Sequence, residues 1–130
     1  MTKEKRFSIC FGIVGLYDIL LGGAFLLFFR NIYKALDITL PNHPGYIFVP
    51  ALFLICGGLA EFMIAKNPLR NTDLAIVRLI MKLSFAGAIA YCALEYGVPI
   101  VFMIVAAISV LSVMKSFLFL GWAYAEKKRR

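Results

Sequence analysis

Five charged side chains lie well inside long apolar stretches of this chain, away from their ends: Asp18, Glu61, Arg78, Lys82 and Lys115. A charge at the centre of a membrane span costs about 3 kcal/mol on insertion scales. Each therefore needs a partner of opposite sign, a ligand or a path to water. Two carboxylates among three cations can serve three chemistries. Asp18 could exchange protons, as a lone mid-membrane acid does in a proton-coupled exporter. Arg78, Lys82 and Lys115 could hold an anionic group such as a lipid headgroup, a quinone oxygen or a substrate carboxylate. Alternatively, all five could be structural and pair with one another. The surplus of one cation is what leaves room for a ligand.

The elements that must position these groups are four apolar stretches, about residues 7–29, 46–65, 74–96 and 98–124. Each reaches the roughly 20 residues that a transmembrane helix needs. Pro41-Asn-His-Pro-Gly45, Asn67-Pro68 and Gly97-Val-Pro99 separate them, and no linker is long enough to divide the chain into two domains. Pro50 and Pro99 read as first-turn prolines of the second and fourth spans, where proline is tolerated. Between the first two spans, residues 30–37 read as a short interfacial helix.

Helical spacing places the charges on inner faces. In the first span Ser8, Gly15 and Gly22 recur every seven residues, with Phe11, Asp18 and Phe25 in the adjacent row. Small and polar residues in such a seam let helices approach closely in lipid, so Asp18 should face protein. Gly57, Gly58, Glu61 and Ala65 share one face of the second span. Arg78 and Lys82 stand four apart on one face of the third, and Ser109, Ser112 and Ser116 form a row beside Lys115 on the fourth. Counted from the span ends, Glu61 and Arg78 lie roughly 6 Å deep, and Asp18, Lys82 and Lys115 roughly 12 to 17 Å deep, from the helical rise. This predicts a shallow Glu61–Arg78 pair, a deeper pair of Asp18 with Lys82 or Lys115, and a cavity opening toward the chain ends and lined by all five. The pairs Gly22-Gly23 and Gly57-Gly58, each followed by Phe and then a basic residue and Asn, would mark an inverted repeat if they occupied equivalent positions.

Other chemistry finds little support. The one histidine, His43, has no second ligand beside it and reads as a turn residue rather than part of a metal site. Cys10, Cys56 and Cys92 sit singly in three separate stretches, without a C-x-x-C motif. The sequence contains no Ser-His-Asp set, H-E-x-x-H or phosphate-binding glycine loop. No cofactor is expected, and a redox role would have to borrow one.

Of the 130 residues 62% are hydrophobic, and the mean hydropathy is +0.88. A soluble domain is only about half apolar, and one this small could not hide the excess. The formal charge of +7 does not form the basic stripe of a nucleic-acid protein. Lys3, Lys5, Arg6, Lys66, Arg70, Lys127, Lys128, Arg129 and Arg130 all fall on one side of a four-span chain, against Arg30 and Lys34 on the other. Both termini are thus expected in the cytoplasm. The apolar run after Arg6 is too long for a signal peptide and reads as a retained first span.

Gly15-Leu-Tyr-Asp18-Ile-Leu-Leu-Gly22, Leu40-Pro-Asn-His-Pro44, Lys66-Asn-Pro-Leu-Arg70, Lys82 and Gly97-Val-Pro99 follow one another in an order that resembles a group of small bacterial four-span proteins, the DoxX-like group. The resemblance implies a four-helix bundle in the inner membrane and no settled activity or catalytic residue. Small multidrug exporters share the size and span number, but they carry a span-one glutamate in a Trp-rich context. Here the acid is Asp18 and the only tryptophan is Trp122.

The expectation is an all-α, integral membrane four-helix bundle with no enzymatic activity. It would bind a lipid-like or anionic ligand, or a membrane protein partner. The alternative is a small transporter working as a homo-oligomer; an accessory subunit of a membrane redox enzyme comes third. Topology tests the frame: tags at both termini should report from the cytoplasm, and a cysteine placed at Asn42 should label from outside. Periplasmic labelling of either terminus would sink the arrangement.

Overall fold

A computed structural model describes residues 1–129; Arg130, the last of the basic terminal run, lies outside the described residues. The chain is all-helical, with α1 at Lys3–Ala35, α2 at Gly45–Lys66, α3 at Thr72–Glu95 and α4 at Ile100–Arg129. All four are long and apolar enough to cross a membrane. Large apolar side chains such as Leu27, Leu94 and Leu118 point outward, as suits helices whose solvent is lipid.

α1 at both ends and α4 at its C-terminal end outrun the apolar stretches, because the flanking charged residues are good helix formers. The Thr2 hydroxyl accepts the Lys5 N–H at 3.3 Å and opens α1. The short helix expected over residues 30–37 is present as the last part of α1, ending at Ala35 and set off from the longer part by a kink at Phe28, whose φ of −124° and ψ of 20° are non-helical. α1 then ends with Ile38 N–H donating to Tyr33 O at 2.9 Å and Asp37 N–H to Lys34 O at 3.2 Å. This is a Schellman end, with Asp37 in the left-handed position at φ 52°. Gly97, at φ 74°, occupies the like position after α3. The Asn71 amide donates to Met63 O at 2.7 Å and to Asn67 O at 3.1 Å, closing the end of α2. His43 is part of a turn, its Nδ1 accepting the Gly45 N–H at 3.1 Å. Pro50 falls in the second turn of α2 rather than the first, so the Tyr46 carbonyl loses the amide that would normally reach it.

The chain runs up and down as two hairpins, α1–α2 and α3–α4. Both chain ends and the α2–α3 turn lie at what is termed the tail end; the other two connections form the far end. Within α1–α2 the backbones nearly touch. A Cβ on Gly15 would come within 2.8 Å of Gly58 O, and one on Gly22 within 2.6 Å of Ala51 O. The Ser8 hydroxyl donates to Ala65 O at 2.5 Å, lower in the same seam. The heptad row of Ser8, Gly15 and Gly22 is therefore the α1–α2 contact. The glycine pairs are not equivalent: Gly22 and Gly58 lie in the seam, Gly23 faces open space, and a Cβ on Gly57 would collide with the Arg78 guanidinium.

Packing between the hairpins is concentrated at the tail end. Phe11, Ile64, Ala75, Phe119 and Ala123 form a buried cluster there. The Phe11 and Phe119 rings meet edge to face at 4.9 Å, and Phe7 stacks on Trp122 at 5.3 Å. Toward the far end α3 has no buried residue after Lys82, and α4 has none before Ser109. Above the level of those residues the two hairpins part.

The seam can be tested with one glycine from each pair. Gly58→Leu should lower stability in detergent by about 1–3 kcal/mol, the usual penalty for overpacking. Gly23→Leu should stay within about 0.5 kcal/mol of the parent, as an unconstrained surface site does. Equal melting temperatures for the two variants would remove the close α1–α2 approach.

Candidate ligand site at a buried ion cluster

At mid-height the seam gives way to charge. Asp18 on α1 is 2% exposed and Glu61 on α2 is 0% exposed. They face three cations on the other hairpin, Arg78 and Lys82 on α3 and Lys115 on α4. Arg78 sits between the acids: its Nη2 donates to Asp18 Oδ2 at 2.6 Å and its Nε to Glu61 Oε1 at 3.4 Å. Lys82 Nζ donates to both Asp18 oxygens, at 3.1 and 3.5 Å. Lys115 Nζ donates to Glu61 Oε2 at 3.0 Å and lies 3.7 Å from the centre of the Phe11 ring, a cation–π contact. Both carboxylates of the cluster thus belong to one hairpin and all three cations to the other.

All five sequence-predicted residues meet, and the expected Glu61–Arg78 and Asp18–Lys82 pairs both form; two contacts are added, Arg78 to Asp18 and Lys115 to Glu61. Lys115 belongs to Glu61, Lys82 to Asp18, and Arg78 to both. Depth counted from the span ends misplaces Lys115 because α4 overshoots α2 at the tail end. Phe119 packs on Phe11, so Lys115, one turn above Phe119, stands near Gly15 and hence near Glu61.

The hollow also lies elsewhere than expected. A cleft of about 310 Å³ has Asp18, Arg78 and Lys82 among its lining, but neither Glu61 nor Lys115. Its walls include Leu21, Phe53, Leu54, Phe85 and Val105, with Ser109 beside the charged floor. A second hollow of about 230 Å³ shares Leu21, Pro50, Leu54, Phe85 and Val105 with it, and continues to Phe25, Tyr33 and Tyr46. The opening therefore runs toward the far end and not toward the chain ends. Beneath the charges the aromatic cluster of Phe11 and Phe119 fills the space. Lys115 lines a separate apolar groove between α1 and α4, together with Ser112. The Ser112 hydroxyl is buried without a hydrogen-bond partner, whereas Ser109 and Ser116 donate to the carbonyls of Val105 and Ser112, each at 3.0 Å.

The floor of the cleft is a set of unused donors. An ammonium carries three protons and a guanidinium five N–H groups. Lys82 commits its protons to Asp18 alone, and Arg78 Nη1 meets only the weak acceptor Met81 Sδ, at 3.8 Å. A cationic floor with donor capacity left suits an oxygen-bearing head, while the walls suit an apolar body. Gly57 was not singled out for this role by sequence reasoning. Its missing side chain is the space that the guanidinium fills, and only the Arg78 rotamer discloses that.

No protein-family model, curated protein or solved structure matches this chain.

The cluster makes Asp18 a structural residue as well as a site residue. Asp18→Asn leaves Lys82 and half of Arg78 without a counter-charge. Breaking such a pair costs about 3–5 kcal/mol in soluble cores and less in membranes. Asp18→Asn should therefore melt well below the parent in detergent. Asp37→Asn, at an exposed helix end where asparagine also accepts the left-handed conformation, should match the parent. If the two variants unfold together, the interior ion pairs contribute nothing measurable.

Proposed function

We propose that this chain is a non-enzymatic membrane receptor for an amphiphilic ligand, held with its polar head on Lys82 and Arg78 and its apolar body along the cleft. The observation that carries the reading is the pairing of two buried cations, with N–H groups to spare, and an apolar hollow that reaches them. A surplus cation at this depth is unfavourable, and an anionic head would answer it. In this reading the chain resides in an inner membrane, like the DoxX-like proteins that it resembles, with both termini in the cytoplasm. The cleft then faces the outer half of the bilayer.

Transport by an oligomer is the second reading. Binding is favoured over it by the closed floor: the Phe11, Ile64 and Phe119 cluster blocks the tail end beneath the charges. Asp18 is also engaged by Arg78 and Lys82 together, which suits a structural acid better than one that trades protons with substrate.

Lys82→Met should weaken retention of an anionic lipid about tenfold or more, since a hydrogen bond to a charged group contributes about 1.5–3 kcal/mol. Lys34→Met, in the last turn of α1, should leave retention unchanged. Native mass spectrometry of the two variants with anionic and zwitterionic lipids reads the difference. Unchanged retention in Lys82→Met would leave the cluster purely structural.

A further inference from the structure

The charge on the floor of the cleft is set by a count. Three cations, Arg78, Lys82 and Lys115, meet two carboxylates, Asp18 and Glu61, in one connected network. The network carries one positive charge in excess. It is buried, so neither salt nor water screens it as they would at a surface. The two cations that reach the cleft are at its floor, and the walls above are apolar.

We infer that the cleft selects an amphiphile with one negative charge, such as a long-chain carboxylate. The inference rests on the cleft being a ligand site. One negative charge brings the network to neutrality. A neutral head leaves the surplus cation uncompensated, and a doubly charged head replaces an excess of one sign by an excess of the other. In a low-dielectric site either imbalance is unfavourable. The space points the same way. The main hollow, about 310 Å³, continues into the second, about 230 Å³, so an alkyl chain has a continuous apolar lining above the charges. From Lys82 to the end of α3 the wall rises roughly 20 Å at the helical rise, so the tail lies along apolar surface and the head stays at the bottom.

Selection by count, rather than by one contact, predicts that the preferred head follows the charge of the network. The experiment uses the full chain in nanodiscs of zwitterionic lipid, with native mass spectrometry of dodecanoate, dodecanol, dodecyl phosphate and acetate. At about pH 8 an alkyl phosphate is doubly charged, its second ionisation lying near pH 6. The parent should retain dodecanoate about tenfold more tightly than dodecanol or dodecyl phosphate, and acetate not at all. In Lys82→Met the network is neutral, and dodecanol should overtake dodecanoate. In Asp18→Asn and Glu61→Gln the excess is two charges, and dodecyl phosphate should become the preferred ligand. Glu61 does not line the cleft, so its variant separates count from contact and serves where Asp18→Asn fails to fold. Equal retention of all three dodecyl ligands by the parent would overturn the charge selection and leave the amphiphile reading intact. Acetate held as tightly as dodecanoate would overturn the role of the chain. If none of the four is retained, the ligand site itself falls.

Discussion

The division of charge between the hairpins is the constraint on which the rest of the structure depends. Lipid tails are as apolar as leucine, so burial of apolar surface does not drive helices together within a bilayer. What holds α1–α2 to α3–α4 at mid-height is a set of ion pairs whose members cannot be left alone. Asp18 and Glu61 on one hairpin need Arg78, Lys82 and Lys115 on the other. Arg78 is the centre of that arrangement because its planar fork can serve two acids at once. Gly57 supplies the space for it.

The same side chains explain why the bundle is hollow. Within α1–α2, glycine brings one backbone against the other. Between the hairpins the contact at mid-height is made by the ends of long side chains, which act as spacers as well as ties. At the tail end Phe11, Phe119 and Ile64 fill the gap that such spacing creates. At the far end Phe85 of α3 and Val105 of α4 line the gap without closing it, and neither helix buries a residue there, so the gap persists as the cleft. A tight seam, a charged clasp, an aromatic floor and an open upper half are thus consequences of which residue types occupy inner positions at each height.

Much of this was legible in the sequence. Length and hydropathy disclosed four helices, and the heptad of Ser8, Gly15 and Gly22 disclosed the seam. The five charges had to face inward, because lipid is intolerant of them. Register was hidden. The height of Lys115 is decided by Phe119 on Phe11, a long-range contact that no count from a helix end contains. The direction of the hollow depends on where inner positions go unfilled, and periodicity does not report that. Local readings were accurate to about a turn: the short helix after the first span is set off by the kink at Phe28 and stops at Ala35, and Pro50 lies one turn deeper than its neighbours suggest.

The order of the charges along the chain has a consequence for how the molecule is made. Synthesis delivers the first hairpin, with both acids of the cluster, before the second hairpin delivers any of its cations. α1 and α2 can close on each other through glycine at once, but Asp18 and Glu61 then stand in the membrane with nothing to answer them. A nascent intermediate of this kind is poorly settled in lipid, and it is relieved in stages as Arg78, Lys82 and finally Lys115 arrive. Assembly is thereby given a direction: the later half is drawn onto the earlier one, and the last of the cations completes the set.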